Sequence, residues 1–227
     1  MNSQRRLSFA FKVATTVCCL IGIMSNLVRT TSIASILSFY TMQSNIFVLL
    51  FYTLYIVIRI VNPNVDKSKT YHTLKGATVM IIFLTFVVYN ISLHSMGFMM
   101  DVKTSSSNIL RFSNLFVHFI TPIMVFLDYL IFDEKGYFKT KNIFVWFIFP
   151  ALYPVYVYTY ARFGGTFFSV GGSKKYAYFF LDIDKLGIDG VLGYLLLFSI
   201  CYLFACYLLV RIDRFLGKRK KKTVGIH

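Results

Sequence analysis

Charged side chains are scarce in this chain of 227 residues, and acidic ones especially so. Only 15% of the residues are charged, with nine Asp and Glu against 24 Lys and Arg. A soluble domain is typically about a quarter charged. The low charge, together with a hydrophobic content of 57%, argues against a soluble protein.

Cysteine is also scarce, and its placement does not favour cross-linking. The four cysteines are Cys18 and Cys19 near the start and Cys201 and Cys206 near the end, all within apolar runs. No pair lies in a polar loop, so no disulfide framework is predicted. The sequence shows no metal-ligand spacing, and we expect neither a metal nor another cofactor.

Long apolar runs fill most of the chain. A membrane-spanning helix needs about 20 mostly apolar residues. Six runs approach or exceed that length, over residues 13–28, 36–61, 74–98, 109–132, 143–161 and 191–210. The sequence therefore predicts an all-α polytopic membrane protein, a six-transmembrane-helix bundle that forms a single domain over residues 1–227.

The basic residues predict the orientation of this bundle. If the N-terminus is inside, 17 of the 24 Lys and Arg fall in inner segments, as the positive-inside rule requires. We therefore expect both termini in the cytoplasm and a multi-pass protein of the plasma membrane. An alternative is that Arg5 and Arg6 begin a signal peptide, but the apolar run after them is long for one.

A net charge of +15 could indicate nucleic-acid binding, but the cations follow the predicted topology instead. The Lys218–Lys222 run is typical of a tail attracted to anionic lipid at the inner membrane surface. We expect membrane lipids and no nucleic acid as partners.

Polar side chains form a stripe on each of two runs. In the fourth run, Asn114, His118, Thr121 and Asp128 fall within about a 100° arc of an otherwise apolar helix. In the second run the stripe includes Thr41, Ser44 and Asn45. Polar groups in a membrane helix face the bundle interior or water, so the two stripes are predicted to meet, with Thr41 and His118 in the outer half of the membrane.

Each of these residues also has a simpler interpretation. Thr41 could bond back to the carbonyl of Leu37, as threonines in membrane helices commonly do. His118 could be a neutral donor between helices, and His94 could lie at the interface. Asp128 could pair with a Lys or Arg at the inner end of the bundle.

The outer segment 162–190, rich in Gly and aromatics, could be a lid or an interfacial anchor.

Three short segments resemble a known family. They are residues 39–45 (FYTMQSN), residues 114–118 (NLFVH) with Pro122 shortly after, and residues 176–182 (YAYFFLD). In this order they resemble the androgen-induced-gene family of multispanning membrane proteins and its microbial relatives. Animal members are threonine hydrolases that cleave fatty-acid esters of hydroxy fatty acids. The resemblance implies that Thr41 is a nucleophile and His118 its base.

This chemistry is coherent for a lipid ester. A Thr hydroxyl needs a neighbouring base, which a neutral His118 can supply. Backbone N–H groups within a helix are already used, so Asn45 and Asn114 are the predicted oxyanion or orienting groups. Further residues that could line or orient the site are Ser44, His94, Thr121, Asp128 and Asp182.

The expected function is therefore an integral membrane hydrolase of fatty-acyl esters. Three alternatives remain open: a transporter or proton relay lined by His118 and Asp128, a noncatalytic membrane protein, and a haem protein ligated by His94 and His118.

Overall fold

The computed structural model describes residues 3–28, 30, 32–90, 112–169 and 172–224. Within these residues the chain forms two one-turn 3₁₀-helices (Val65–Lys67 and Phe179–Leu181) and seven further helices: α1 (Ser3–Leu27), α2 (Ile33–Ser38), α3 (Tyr40–Val61), α4 (Lys69–Val88), α5 (Phe112–Phe132), α6 (Asn142–Arg162) and α7 (Ile183–Val224). A short antiparallel hairpin of β1 (Phe167–Ser169) and β2 (Gly172–Lys174) lies in the connector after α6.

In the described part of the chain, six helices are long and apolar enough to cross a membrane, namely α1 and α3 to α7. The prediction of an all-α six-helix membrane bundle is therefore confirmed. Each predicted run overlaps one of these helices, although the ends differ. The first helix begins at Ser3 rather than at residue 13, and the last extends well beyond the predicted run at both ends. Residues 91–98 of the third run lie outside the described residues.

The second predicted run is divided into two helices at Phe39. The side chain of Ser32 caps α2 by accepting a hydrogen bond from the Ser35 N–H, a favoured arrangement at a helix start. Phe39 then adopts an extended conformation (φ −73°, ψ 141°), and α3 begins at Tyr40. Thr41 therefore lies in the first turn of a helix and not within a continuous one.

Helix α4 lies at the centre of the bundle. Every residue from Lys75 through Ile82 is buried, whereas a surface helix buries only one face. Helix α4 contacts α3, α5 and α6, while α1 packs against α3 and α5 and α6 packs against α7. The contact with α6 is close at Gly76, where a Cβ atom would lie 2.6 Å from Cε2 of Trp146.

Helices α5 and α7 depart from regular geometry. In α5, residues Phe116–Ile120 form a π-helix before Pro122. In α7, Gly187 has φ 68° and ψ 174°, a conformation that glycine adopts without the steric cost of a Cβ.

The connector between α6 and α7 covers the N-terminal end of α3. We call this end of the bundle outer and the opposite end inner, after the orientation that the sequence predicts. Its residues Tyr176, Tyr178 and Phe180 are buried. The Tyr178 ring lies 6.0 Å from that of Phe39, and the Phe167 ring lies 5.3 Å from it. The connector therefore packs directly over the break at which α3 begins.

Candidate functional site

Thr41 lies at a helix start whose backbone donors are not used by the helix. The first N–H groups of an α-helix have no intrahelical acceptor. In α3 the N–H of Tyr40 donates to the Tyr153 hydroxyl at 3.0 Å, and Tyr178 lies beside the backbone of Tyr40 and Thr41. The premise that backbone donors near Thr41 are already occupied within a helix is therefore wrong.

The Thr41 side chain lies beside the Tyr178 phenol. Among the described residues, no hydrogen bond links its hydroxyl to Leu37, so the bond back to the preceding turn is not formed. Burial raises the pKa of Tyr178 above its ordinary value, which keeps the phenol protonated and able to donate. Sequence reasoning gave Tyr153 and Tyr178 no role. The one available signal was that Tyr178 falls in the segment 176–182.

Asn45 connects the turn that carries Thr41 to the turn that carries His118. Its Nδ2 donates to the carbonyl of Thr41 at 2.8 Å and to the carbonyl of Val117 at 3.1 Å. Since one nitrogen reaches both, the two carbonyl oxygens lie within about 6 Å of each other. Both amide hydrogens are used in this bridge, so an oxyanion role for Asn45 would require one of these bonds to break.

His118 lies buried in the π-helix of α5. Its ring stacks on that of Tyr89, with centroids 3.6 Å apart. Its Nδ1 is buried and has no hydrogen-bond partner among the described residues. π-Helical turns occur frequently at functional sites, and a buried nitrogen without a partner is costly unless something binds it.

Thr41 and His118 are brought to neighbouring turns but not into direct contact. No hydrogen bond joins the two side chains in the part of the chain that the structure describes. Ser44, one turn from Thr41, donates to the Thr41 carbonyl at 2.9 Å and lies 2.7 Å from the hydroxyl of Thr85 in α4. The site is thus enclosed by α3, α4 and α5.

The remaining predicted site residues are less closely involved. Thr121 is fully buried beside Cys19, and Asn114 is half-buried near the start of α5. The carboxylate of Asp182 lies 3.7 Å from Lys185 in the outer connector, and no described contact joins it to His118. His94 lies outside the described residues.

Asp128 belongs to a different, inner site. Its Oδ1 accepts from Lys12 at 2.6 Å, and its Oδ2 accepts from Tyr52 at 2.8 Å and from Lys75. Asp133 lies 3.6 Å from Lys12 and 3.3 Å from Lys75. We call these four charged residues, Lys12, Lys75, Asp128 and Asp133, the Lys–Asp cluster.

The Lys–Asp cluster is balanced in charge and almost sealed from solvent, since no member's side chain is more than 4% exposed. It confirms the interpretation in which Asp128 pairs with a basic residue at the inner end. The prediction that Asp128 lines the same site as Thr41 needs correction, because ten residues of helix place it about 15 Å from His118 along α5.

The geometry defines an all-α, multi-pass membrane protein with a polar site at the outer ends of α3 and α5 and a buried charge cluster at the inner end. Within the described residues, no group of three or more His, Cys, Asp or Glu could hold a metal ion. Comparison of the chain with protein-family models, curated proteins and solved structures finds no match. The resemblance to the androgen-induced-gene family remains a hypothesis.

Proposed function

We propose that the protein is a membrane hydrolase that cleaves fatty-acyl esters, with Thr41 as nucleophile and His118 as general base. The observation that carries this proposal is the Asn45 bridge. It ties the first turn of α3, which holds Thr41, to the π-helical turn of α5, which holds the buried imidazole. A nucleophile and its base must lie close together, and this bridge supports such an arrangement.

The directions of the two side chains also support it. At 100° per residue, Thr41 lies between Ser44 and Asn45 around α3. Ser44 bonds to α4 and Asn45 bonds to α5, so Thr41 is directed toward the junction of these helices. His118 projects from α5 onto Tyr89, just after α4, and faces the same junction.

The reaction then follows a two-step scheme. The Thr41 Oγ1 attacks the ester carbonyl carbon and gives its proton to His118. The alcohol leaves with that proton, and an acyl-threonine remains. Water, deprotonated by His118, hydrolyses the acyl-threonine, and the proton returns to the Thr41 oxygen.

The first-turn N–H groups of α3 are better oxyanion donors than Asn45. They lie at the positive end of the helix dipole. The Tyr153 hydroxyl accepts from the Tyr40 N–H, and the Tyr178 hydroxyl lies beside Tyr40 and Thr41. A substrate oxygen that displaced these hydroxyls would meet two backbone donors beside the nucleophile, as oxyanion stabilisation requires.

An apolar groove of about 220 Å³ between α4 and α5 supports a long-chain substrate. Its lining includes Phe83, Phe86, Pro122 and Phe126. Phe86 packs edge-on against Phe119, next to His118, with ring centroids 5.9 Å apart. A long acyl chain that has already partitioned into the membrane can lie along this groove, whereas a short, water-soluble ester would leave it empty, so long-chain esters are the expected substrates.

A hydrolysis assay on the purified protein tests the proposal. We expect cleavage of long-chain fatty-acyl esters and poor cleavage of short, water-soluble ones. Thr41→Ala and His118→Ala should each abolish the activity, because a nucleophile and its base act as one unit. The matched controls are Thr159→Ala, at an exposed helical threonine, and His72→Ala, at a second imidazole stacked on a tyrosine. Unchanged hydrolysis by the Thr41→Ala protein would contradict the mechanism.

A transporter or proton relay is the second candidate, and the Lys–Asp cluster is the observation that favours it. Ionisable residues within membrane helices often mark ion pathways. A flux assay on the folded protein separates the two functions, since a relay predicts flux that Thr41→Ala leaves unchanged and a hydrolase predicts no flux.

A further inference from the structure

A polar pocket of about 190 Å³ opens at the inner ends of α1, α3 and α5. Its basic lining residues are Arg5, Lys12, Arg59 and Lys67. Its acidic lining residues are Asp66, Asp133 and Glu134. We call this the inner pocket. It adjoins the Lys–Asp cluster, because Lys12 and Asp133 belong to both, and it is remote from Thr41.

Two of the four basic residues are already paired with carboxylates, and the other two are not. Arg59 donates to Asp66 at 2.8 Å, and Lys12 is held by Asp128 and Asp133. Arg5 and Lys67 are exposed and, among the described residues, form no ion pair. The pocket therefore offers two cations that are free to bind a ligand.

In the described part of the chain, two carboxylate oxygens of the same pocket receive no hydrogen bond, and one of them has no ion-pair partner either. Asp66 Oδ1 and Asp133 Oδ2 are buried and receive no hydrogen bond from the described residues. The Asp133 side chain is only 4% exposed, and its Oδ2 lies 3.3 Å from Lys75 Nζ without a hydrogen bond to it. Buried polar atoms are normally hydrogen-bonded. Asp133 Oδ2 has the Lys75 ammonium as its ion-pair partner, so Asp66 Oδ1 is the oxygen that indicates a missing donor.

We propose that the inner pocket binds a zwitterion that carries both a phosphate and a primary ammonium group, the chemistry of phosphoethanolamine. The ammonium supplies three N–H donors for Asp66, beside the other carboxylates of the lining, Asp133 and Glu134. The phosphate pairs with Arg5 and Lys67, since Arg and Lys are the side chains that bind phosphate. A ligand with only negative charge would be repelled by the three carboxylates of the pocket. A ligand with only positive charge would be repelled by its four basic groups.

The surroundings of the pocket suit a phospholipid as the source of this headgroup. Leu7 on α1 and Ile60 and Val61 on α3 are exposed apolar residues near the pocket. They provide a lipid-facing surface beside it, so a headgroup can enter while its acyl chains remain in the membrane.

Native mass spectrometry of the detergent-purified protein tests this inference. The probes are phosphatidylethanolamine, phosphatidylcholine and phosphatidylglycerol with identical acyl chains. We expect phosphatidylethanolamine to bind about tenfold more tightly than either of the others. Phosphatidylcholine has no N–H donor for the carboxylates, and phosphatidylglycerol has no cation.

Variants assign the contacts. Arg5→Ala and Lys67→Ala should each weaken phosphatidylethanolamine binding about threefold or more, whereas Lys69→Ala, at an exposed lysine in the same region that does not line the pocket, should not. Asp66→Asn keeps an oxygen that can accept from Arg59 but removes the negative charge that attracts the ammonium. The ratio of the affinities for phosphatidylethanolamine and phosphatidylglycerol should therefore decrease.

Competition with soluble glycerophosphoethanolamine identifies the source of the ligand. If glycerophosphoethanolamine displaces phosphatidylethanolamine only at concentrations far above that of the lipid, the natural ligand is a lipid. If it displaces the lipid at similar concentrations, the natural ligand is a soluble molecule with the same headgroup chemistry. Equal binding of the three lipids, or tighter binding of phosphatidylglycerol, would overturn the inference.

Discussion

Asp128 shows how burial determines the role of a charged residue. Its carboxylate accepts hydrogen bonds from Lys12, Tyr52 and Lys75 on three different helices. Sequence alone indicated that Asp128 needed a basic partner but not which one, because Lys12 and Lys75 counted equally well as inner-surface cations. Their selection as partners depends on how α1 and α4 pack against α5, and periodicity within one helix does not contain that information.

Removal of the Asp128 charge should therefore destabilise the protein strongly. Asp128→Asn leaves the buried Lys12 and Lys75 with Asp133 as their single carboxylate partner in the cluster. We expect a loss of about 3–5 kcal/mol in the free energy of unfolding, as when one partner of a buried pair is removed. Denaturation in detergent measures this.

Asp184→Asn is the matched control, because the Lys175–Asp184 pair is exposed and such pairs contribute little. Similar stability of the two variants would show that the Lys–Asp cluster is not a stabilising unit.

The environment of Thr41 could not be predicted from residue type. The predicted span ran without interruption through Phe39, so the backbone donors around Thr41 were expected to be used within the helix. The extended conformation of Phe39 starts a new helix at Tyr40 and leaves the Tyr40 N–H to donate to Tyr153. No proline or glycine marks this break in the sequence.

The positions of the helices were easier to predict than the irregularities within them. Apolar run length located all six long helices, because the membrane imposes that length. The π-helix at Phe116–Ile120 was not predicted, since the angular analysis assumed a constant 100° per residue. A π-helix inserts an extra residue into the turn and so shifts the register of Thr121 and Asp128 relative to Asn114.

The contact between α4 and α6 depends on the absence of a side chain at Gly76. Gly76→Ala would drive a Cβ into the Trp146 ring, and that ring is held in place because its Nε1 donates to the Thr73 carbonyl at 2.9 Å. Overpacking typically costs about 1–3 kcal/mol, and we expect it to outweigh the gain in helix propensity of about 1 kcal/mol. The midpoint temperature of thermal unfolding in detergent should therefore be lower for Gly76→Ala than for the unmodified protein.

Gly193→Ala provides the comparison, because a Cβ at Gly193 in α7 meets nothing within 4 Å. This substitution should keep or raise the midpoint. A midpoint for Gly76→Ala that equals or exceeds that of Gly193→Ala would show that α4 and α6 pack less closely than described.

At the scale of the whole molecule, the charge distribution predicts that both termini lie inside. In a background without the native cysteines, Lys174→Cys should react with a membrane-impermeant thiol reagent on intact cells. Lys67→Cys should react only after permeabilisation. Reaction of position 67 in intact cells would reverse the predicted orientation and place the inner pocket outside.

The sequence predicted more of the architecture than of the sites. Fold class follows from composition and run length, which are properties of the whole chain. The sites depend on contacts between distant segments, such as that of Asn45 with Val117 and that of Tyr178 with Thr41. Helical periodicity placed Thr41, Ser44 and Asn45 on one face but could not separate the outer site from the Lys–Asp cluster.

Covalent labelling of the proposed nucleophile tests the central claim most directly. The purified protein is treated with a fluorophosphonate probe, and the modified peptide is identified by mass spectrometry. The account predicts an adduct on Thr41 that is absent from Thr41→Ala, strongly reduced in His118→Ala because the hydroxyl then lacks its base, and unchanged in Thr159→Ala. Labelling of equal intensity in the Thr41→Ala protein would contradict the account.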